Sequence, residues 1–203
     1  MKKIITLCNE TLNEKKPNSV GLEIKFYRSN EKPYGVFSNL YRRPIVFEGR
    51  EFATAEHAYQ AGKARKDAVR EWILSAPSPS LVAMAAHGLY TWDIVPNWSA
   101  TKFDRMRAVL RSKFTQHEDL KELLLSTGNA RLVEVGKVDN AVNRIWGEVN
   151  GKGQNMLGVL LMELRTDLTN EVSVQQTNSG QGTYFVPEIN DWQSEKLCGL
   201  QAC

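Results

Sequence analysis

The apolar positions of this chain first alternate and then recur every three or four residues, and the change falls near Thr54. Residues 1–20 are polar and carry no period. The first structural signal is Glu23-Ile24-Lys25-Phe26-Tyr27, a short alternating segment that predicts a strand. Ile45-Val46-Phe47 and Arg50-Glu51-Phe52 flank Glu48-Gly49, a pair able to take the positive φ angles of a tight turn, and predict a small hairpin. From Thr54 the pattern is helical. Thr54 is placed to cap a helix bearing Ala55, Ala58, Tyr59 and Ala61, and Asp67 to cap a second with Val69, Trp72 and Ile73. Ser78-Pro79 opens a third, which closes at Gly88 with a left-handed glycine.

After a connector running from Trp92 to Trp98, Ser99 is the expected cap of a longer helix, with Phe103, Met106, Val109, Leu110 and Phe114 forming its core stripe. Glu118 to Leu125 predicts a short helix stopped near Gly128, and Arg131 to Val135 a further strand. Asn155 is the expected cap of the last helix, whose face carries Leu157, Leu160, Leu161, Leu164 and Leu168. Beyond Leu168 the pattern fades. The expected organisation is a polar segment over residues 1–20, one domain over 21–168, and a polar linker and acidic tail over 169–203 that could dock through Tyr184, Phe185 or Trp192. The fold class is mainly α, with a small β element near the N-terminal side.

Composition adds one asymmetry. The formal net charge is +3, but residues 1–166 carry 25 Lys and Arg against 18 Asp and Glu, and residues 167–203 carry 1 against 5. A basic body suits an anionic ligand such as a nucleotide or sugar phosphate, although solubility alone explains it equally. Cys8, Cys198 and Cys203 form no CxxC pair and no even disulfide framework, which points to a reducing compartment. The apolar run of the first residues breaks at Asn9-Glu10, short of a secretory signal, and no 18-residue apolar stretch occurs, so a cytoplasmic protein without a membrane span is expected.

Three clusters carry candidate chemistry. Glu56, Gln60 and Lys63 fall at i, i+4 and i+7, so a carboxylate, an amide and an ammonium share one helix face. A polar pocket needs such a face, and so does an ordinary solvated helix. Trp92 and Trp98, around Pro96-Asn97, offer flat walls for a base or the closure of a core beneath a loop. Gly151-Lys152-Gly153-Gln154-Asn155 is a glycine-rich turn entering a helix, where backbone N–H groups attract an anion; a plain turn has the same composition. His57, His87 and His117 are too far apart for a short metal motif.

Together these stretches resemble the NADAR (YbiA-like) family. The resemblance rests on Tyr34-Gly35-Val36-Phe37-Ser38-Asn39-Leu40, Thr54-Ala55-Glu56-His57-Ala58-Tyr59-Gln60-Ala61-Gly62-Lys63, Asn97-Trp98, Lys113-Phe114, Leu132-Val133-Glu134, Trp146-Gly147 and the run from Gly151 to Arg165, in family order. It implies a helix-dominated fold and an N-glycosidase that hydrolyses the N-ribosyl bond of phosphorylated early riboflavin-pathway intermediates, with relatives that remove ADP-ribosyl groups from nucleobases. No cofactor and no metal are implied. A small phosphorylated N-ribosyl substrate, or ADP-ribosylated nucleic acid, is the implied partner, and a binder that sequesters the nucleotide is the non-catalytic alternative.

Cleaving a ribosyl C–N bond builds positive charge on the sugar, so a carboxylate is needed beside the anomeric carbon; Glu56 is the candidate. Asn39, Trp98 and Trp146 are candidates for holding the leaving base, and Lys63, Lys152 and Asn155 for the phosphate end. Relatives commonly place an Asp three residues before the Trp-Gly pair. Asn143 stands there in this chain, and an amide exchanges no proton. Asp139, the nearest acid upstream, is the expected replacement, with Asn143 holding substrate and a turn cap as the plain alternative for Asp139.

Overall fold

The computed structural model describes residues 22–179. The cysteines and the tail aromatics Tyr184, Phe185 and Trp192 lie outside the described residues. Strand β1 (Glu23–Phe26) points Ile24 and Phe26 inward, and pairs in parallel with β4 (Arg131–Glu134), Ile24 facing Leu132 and Phe26 facing Glu134. The hairpin of β2 (Ile45–Phe47) and β3 (Arg50–Phe52) forms as expected, with Glu48 at φ 50° and Gly49 at φ 75° matching the strands' twist. The small β element therefore has two separate pieces, one of them completed by a strand from late in the chain.

Among the described residues, seven α-helices supply the rest: α1 (Ala55–Ala61), α2 (Asp67–Leu74), α3 (Pro79–His87), α4 (Trp98–Gln116), α5 (Glu118–Ser126), α6 (Ala141–Trp146) and α7 (Met156–Ser179). Thr54 caps α1 by accepting the His57 N–H, and Ser78 caps α3 by accepting that of Leu81. Four boundaries differ from expectation. Lys66 precedes α2, so Asp67 lies inside the first turn, where a negative charge suits the helix dipole. Gly88 is right-handed, at φ −78°. Asn97, in the left-handed region at φ 61°, turns the chain into α4 without a side-chain cap, so Trp98 opens the helix and Ser99 does not cap it. Finally, α7 continues to Ser179 through the stretch expected to be a linker. There Arg111 pairs with Glu171, while Thr169 and Ser173 bond back to carbonyls one turn earlier.

The main core joins Phe26, Phe37 and Leu132 to the α4 stripe and to the leucines of α7. A second cluster seats the hairpin on α1 and Val109 of α4. These two cores enclose α1 so fully that all seven of its residues are buried, the polar ones included. A short helix buried all round positions whatever polar groups it carries with little freedom.

Asn155 illustrates how one polar side chain organises the other wall. It is buried, and its amide donates to the Leu132 carbonyl at 2.8 Å and accepts the Glu134 N–H at 3.0 Å, fastening the entry of α7 to β4. Asn155→Ala leaves both backbone groups without partners, and a loss of about 3 kcal/mol in urea unfolding is expected. A loss below about 1 kcal/mol would show that the bonds are replaceable.

Candidate active site

A cleft of about 420 Å³ opens between α1, α4, α6 and the end of β4, within the range of sites that hold small ligands. Its floor is α1. Glu56, Tyr59 and Gln60 line it, and Lys63 follows just past the helix end. The polar face of α1 is thus a pocket wall; a solvated face is excluded, because Glu56 and Gln60 are buried. Gln60 Nε2 donates to Glu56 Oε1 at 2.8 Å, and the Asn39 carbonyl accepts the Glu56 N–H at 3.1 Å. Glu56 is therefore held through both side chain and backbone.

Asn39 stands at the end of the Tyr34–Phe37 turn, which Lys113 of α4 secures from within the core. The fully buried Lys113 ammonium donates to the carbonyls of Val36 and Ser38, at 2.5 and 2.9 Å. Burial without a facing carboxylate drives that amine down to about 7. Asn39 Nδ2 donates to Met106 Sδ at 3.2 Å.

A second carboxylate lines the cleft, and it is Glu134, the last residue of β4. Its backbone accepts the Glu148 N–H at 2.8 Å. Gly147 covers that same carbonyl so closely that a Cβ there would sit 2.4 Å from the Glu134 oxygen, which leaves room only for glycine after Trp146. Burial, and after it the charge of Glu56, pushes the Glu134 carboxyl up to about 7. Burial also pushes Glu56 to about 7, against the Gln60 hydrogen bond and the pull of Lys63. Two acids in one cleft, both titrating near neutrality and repelling one another, give up their protons in coupled steps, so one holds a proton while the other is charged.

The remaining walls are aromatic and cationic. Tyr59 lies between Trp98, 5.2 Å away by ring centroid, and Trp146, 5.5 Å away and edge-on; Phe103 supports Trp146 from behind at 5.4 Å. Trp98 and Trp146 are half-buried and line the cleft, so each is both core and wall. Trp92 instead stacks on Tyr90 outside it. Lys63 donates to the Ala86 carbonyl at 2.6 Å, and burial lowers its pKa against the attraction of Glu56. Lys102 and His87 also face the cleft.

Asn39, Glu56, Lys63, Trp98, Asn143 and Trp146 are brought together in the cleft; Asp139, Lys152 and Asn155 are not. Asp139 is exposed and forks onto Arg144 at 2.5 and 2.7 Å, an ion pair that holds its carboxyl below the usual range. The cap of α6 is Asn140, not Asp139. Lys152 is exposed in a tight turn closed on Val149, and Asn155 is committed to β4. Asn143 donates to the Val138 carbonyl at 2.7 Å. Asp139→Asn is accordingly expected to leave turnover within about twofold of wild type, since a solvated surface pair contributes little; a steep loss in steady-state assays would return Asp139 to the site. Glu134 was missed although Leu132-Val133-Glu134 belongs to the family pattern. The available signal was an acid ending an otherwise apolar strand.

Among the described residues no three His, Cys, Asp or Glu side chains gather as a metal would require, and no helix is long and apolar enough to cross a membrane.

Residues 25–169 match the NADAR domain. The chain is 42% identical over 149 residues to the N-glycosidase YbiA of Shigella flexneri serotype 5b, a similarity covering 73% of this chain and 89% of that protein. It is 31% identical over 146 residues to a riboflavin biosynthesis protein of Vibrio vulnificus, covering 71% of this chain and 38% of the other. The NMR structure of the Escherichia coli protein YbiA superposes with a TM-score of 0.66 at 40% identity, over 74% of this chain and 86% of that one.

Proposed function

The chain belongs to the NADAR family, and from that premise we propose that, as a hydrolase of N-glycosyl bonds, it cleaves the N-ribosyl bond of a phosphorylated ribosylamino-pyrimidine. The observation that carries the reading is the pair Glu56 and Glu134 in one cleft, each pushed to about 7. The causes of the two shifts divide the labour. Glu56 has a hydrogen-bond donor in Gln60 and a cation in Lys63, both of which favour its charged form. Glu134 has only burial and repulsion acting on it, so it keeps the proton.

In the reaction the C1′–N bond breaks with its electron pair going to nitrogen, which takes the Glu134 proton. Water adds to C1′ and loses a proton to the Glu56 carboxylate, which also stabilises the cationic sugar. Trp98, Tyr59 and Trp146 offer the base a flat wall, and Lys63 and Lys102 offer the phosphate its counter-charge. The Vibrio vulnificus relative is named a riboflavin biosynthesis protein, which supports a compound of riboflavin formation as the substrate.

The test is to incubate pure protein with 2,5-diamino-6-ribosylamino-pyrimidinone 5′-phosphate and, in parallel, with ADP-ribosylated DNA. Release of ribose 5-phosphate is expected from the first. Release of ADP-ribose from the second alone, or tight binding without turnover, would replace this reading with base de-ADP-ribosylation or with sequestration.

A further inference from the structure

Two residues of the cleft wall each carry a buried oxygen atom without a hydrogen-bond partner, Asn39 Oδ1 and Gln60 Oε1. Their residues expose 8% and 3% of their surface, so bulk water does not serve them, and both line the cleft. The orientation of each amide follows from its other end. Gln60 spends Nε2 on the Glu56 carboxylate, and turning the amide over would set oxygen against oxygen. Asn39 spends Nδ2 on Met106 Sδ, a weak acceptor that an amide oxygen could not approach favourably. Both free atoms are therefore acceptors, and each waits for an O–H or N–H.

Their place relative to Glu56 identifies the donor. Gln60 grips the Glu56 side chain, and the Asn39 backbone grips the Glu56 N–H. The two residues that carry these acceptors thus both hold Glu56, the residue that, in the reading above, works at the anomeric carbon. The donors on the carbons one and two bonds from that carbon are the ribose 2′- and 3′-hydroxyls. The amino groups of the base lie beyond the scissile nitrogen, on the side of the aromatic wall.

We propose that Asn39 and Gln60 are specificity-determining residues that accept the hydrogens of the ribose cis-diol, so that the cleft selects ribosyl over 2-deoxyribosyl compounds. This rests on the N-ribosyl reading. A site built to pair with a hydroxyl rejects the analogue lacking it, because its own acceptor is then left buried and unpaired. A bond to the 2′-hydroxyl also tightens as the sugar becomes cationic, so discrimination is larger in kcat/KM than in binding.

Calorimetric binding of ribose 5-phosphate and 2-deoxyribose 5-phosphate to the wild-type protein measures the selection without any turnover. Ribose 5-phosphate is expected to bind at least about tenfold more tightly; of Gln60→Met and Asn39→Leu, the one that removes the acceptor of the 2′-hydroxyl is expected to narrow that ratio toward one, and the other to weaken both sugars alike. Equal binding of the two sugars by the wild type would overturn the diol assignment while leaving the hydrolase reading in place. Absence of binding by ribose 5-phosphate would overturn both. The wild-type comparison decides the matter even where a variant fails to fold.

Discussion

Glu56→Gln is expected to lose at least about 100-fold in kcat and yet to be more stable than the wild type at pH 8. The loss follows because an amide accepts no proton and offers no charge to a cationic sugar. The gain follows from linkage. A carboxyl raised from 4.5 to about 7 by burial holds its proton more tightly folded than unfolded, so its contribution to stability is fully present below pH 4.5 and is lost as pH rises through 7. At pH 8 the ionised, buried Glu56 costs the fold up to about 3 kcal/mol, and glutamine keeps the Gln60 hydrogen bond without that cost. Thermal unfolding of the two proteins should therefore coincide near pH 4.5 and diverge above 7, with the variant higher. Near-native turnover would remove Glu56 from the mechanism, and a variant less stable at pH 8 would show that Lys63 and Gln60 more than offset the burial.

Glu134→Gln carries a comparable expected loss in kcat, about 100-fold or more, with KM changed little. The aromatic wall and the cations of the cleft are untouched by the change, so substrate is still bound. What disappears is the proton for the leaving nitrogen. The two acids also report on each other. With Glu56 replaced by a neutral amide, one cause of the Glu134 shift is gone, and its titration, followed by carboxyl carbon NMR, should move below that of the wild type. A Glu134 titration unmoved by Glu56→Gln would mean that the two groups are not coupled.

How far the sequence disclosed this site depends on how local each part of it is. The capped helix α1 was readable because Thr54, the small apolar residues and the spacing of Glu56, Gln60 and Lys63 all lie within ten positions. Whether that face met water or a cleft was not readable, since burial of α1 comes from α4 and the hairpin, elements far away in the chain. Glu134 escaped for the same reason. Its neighbours Leu132 and Val133 are both buried, so β4 shows no alternation, and only its parallel pairing with β1 and the cover of Gly147 bring the carboxylate to the cleft. Asp139 is a candidate as the acid nearest upstream of Asn143, and Lys152 as part of the glycine-rich turn, yet each points its charge elsewhere, one to Arg144 and the other out of a tight turn. The extension of α7 was hidden by its composition. Past Leu168 the helix is held by Arg111 and by hydroxyls bonding back to the preceding turn, which leave no apolar stripe to read.

The central claim is that a charged Glu56 and a protonated Glu134 act together on one N-ribosyl bond, and the pH dependence of kcat/KM tests it most directly. Ribose 5-phosphate release should be measured from pH 5 to 9 for the wild type and both glutamine variants. For the wild type the account predicts a bell with its maximum near 7, rising as Glu56 ionises and falling as Glu134 loses its proton. The residual activity of Glu56→Gln should lack the acidic limb, and that of Glu134→Gln the alkaline limb. A wild-type profile flat across this range, or variants that keep both limbs, would contradict the assignment of the two carboxylates.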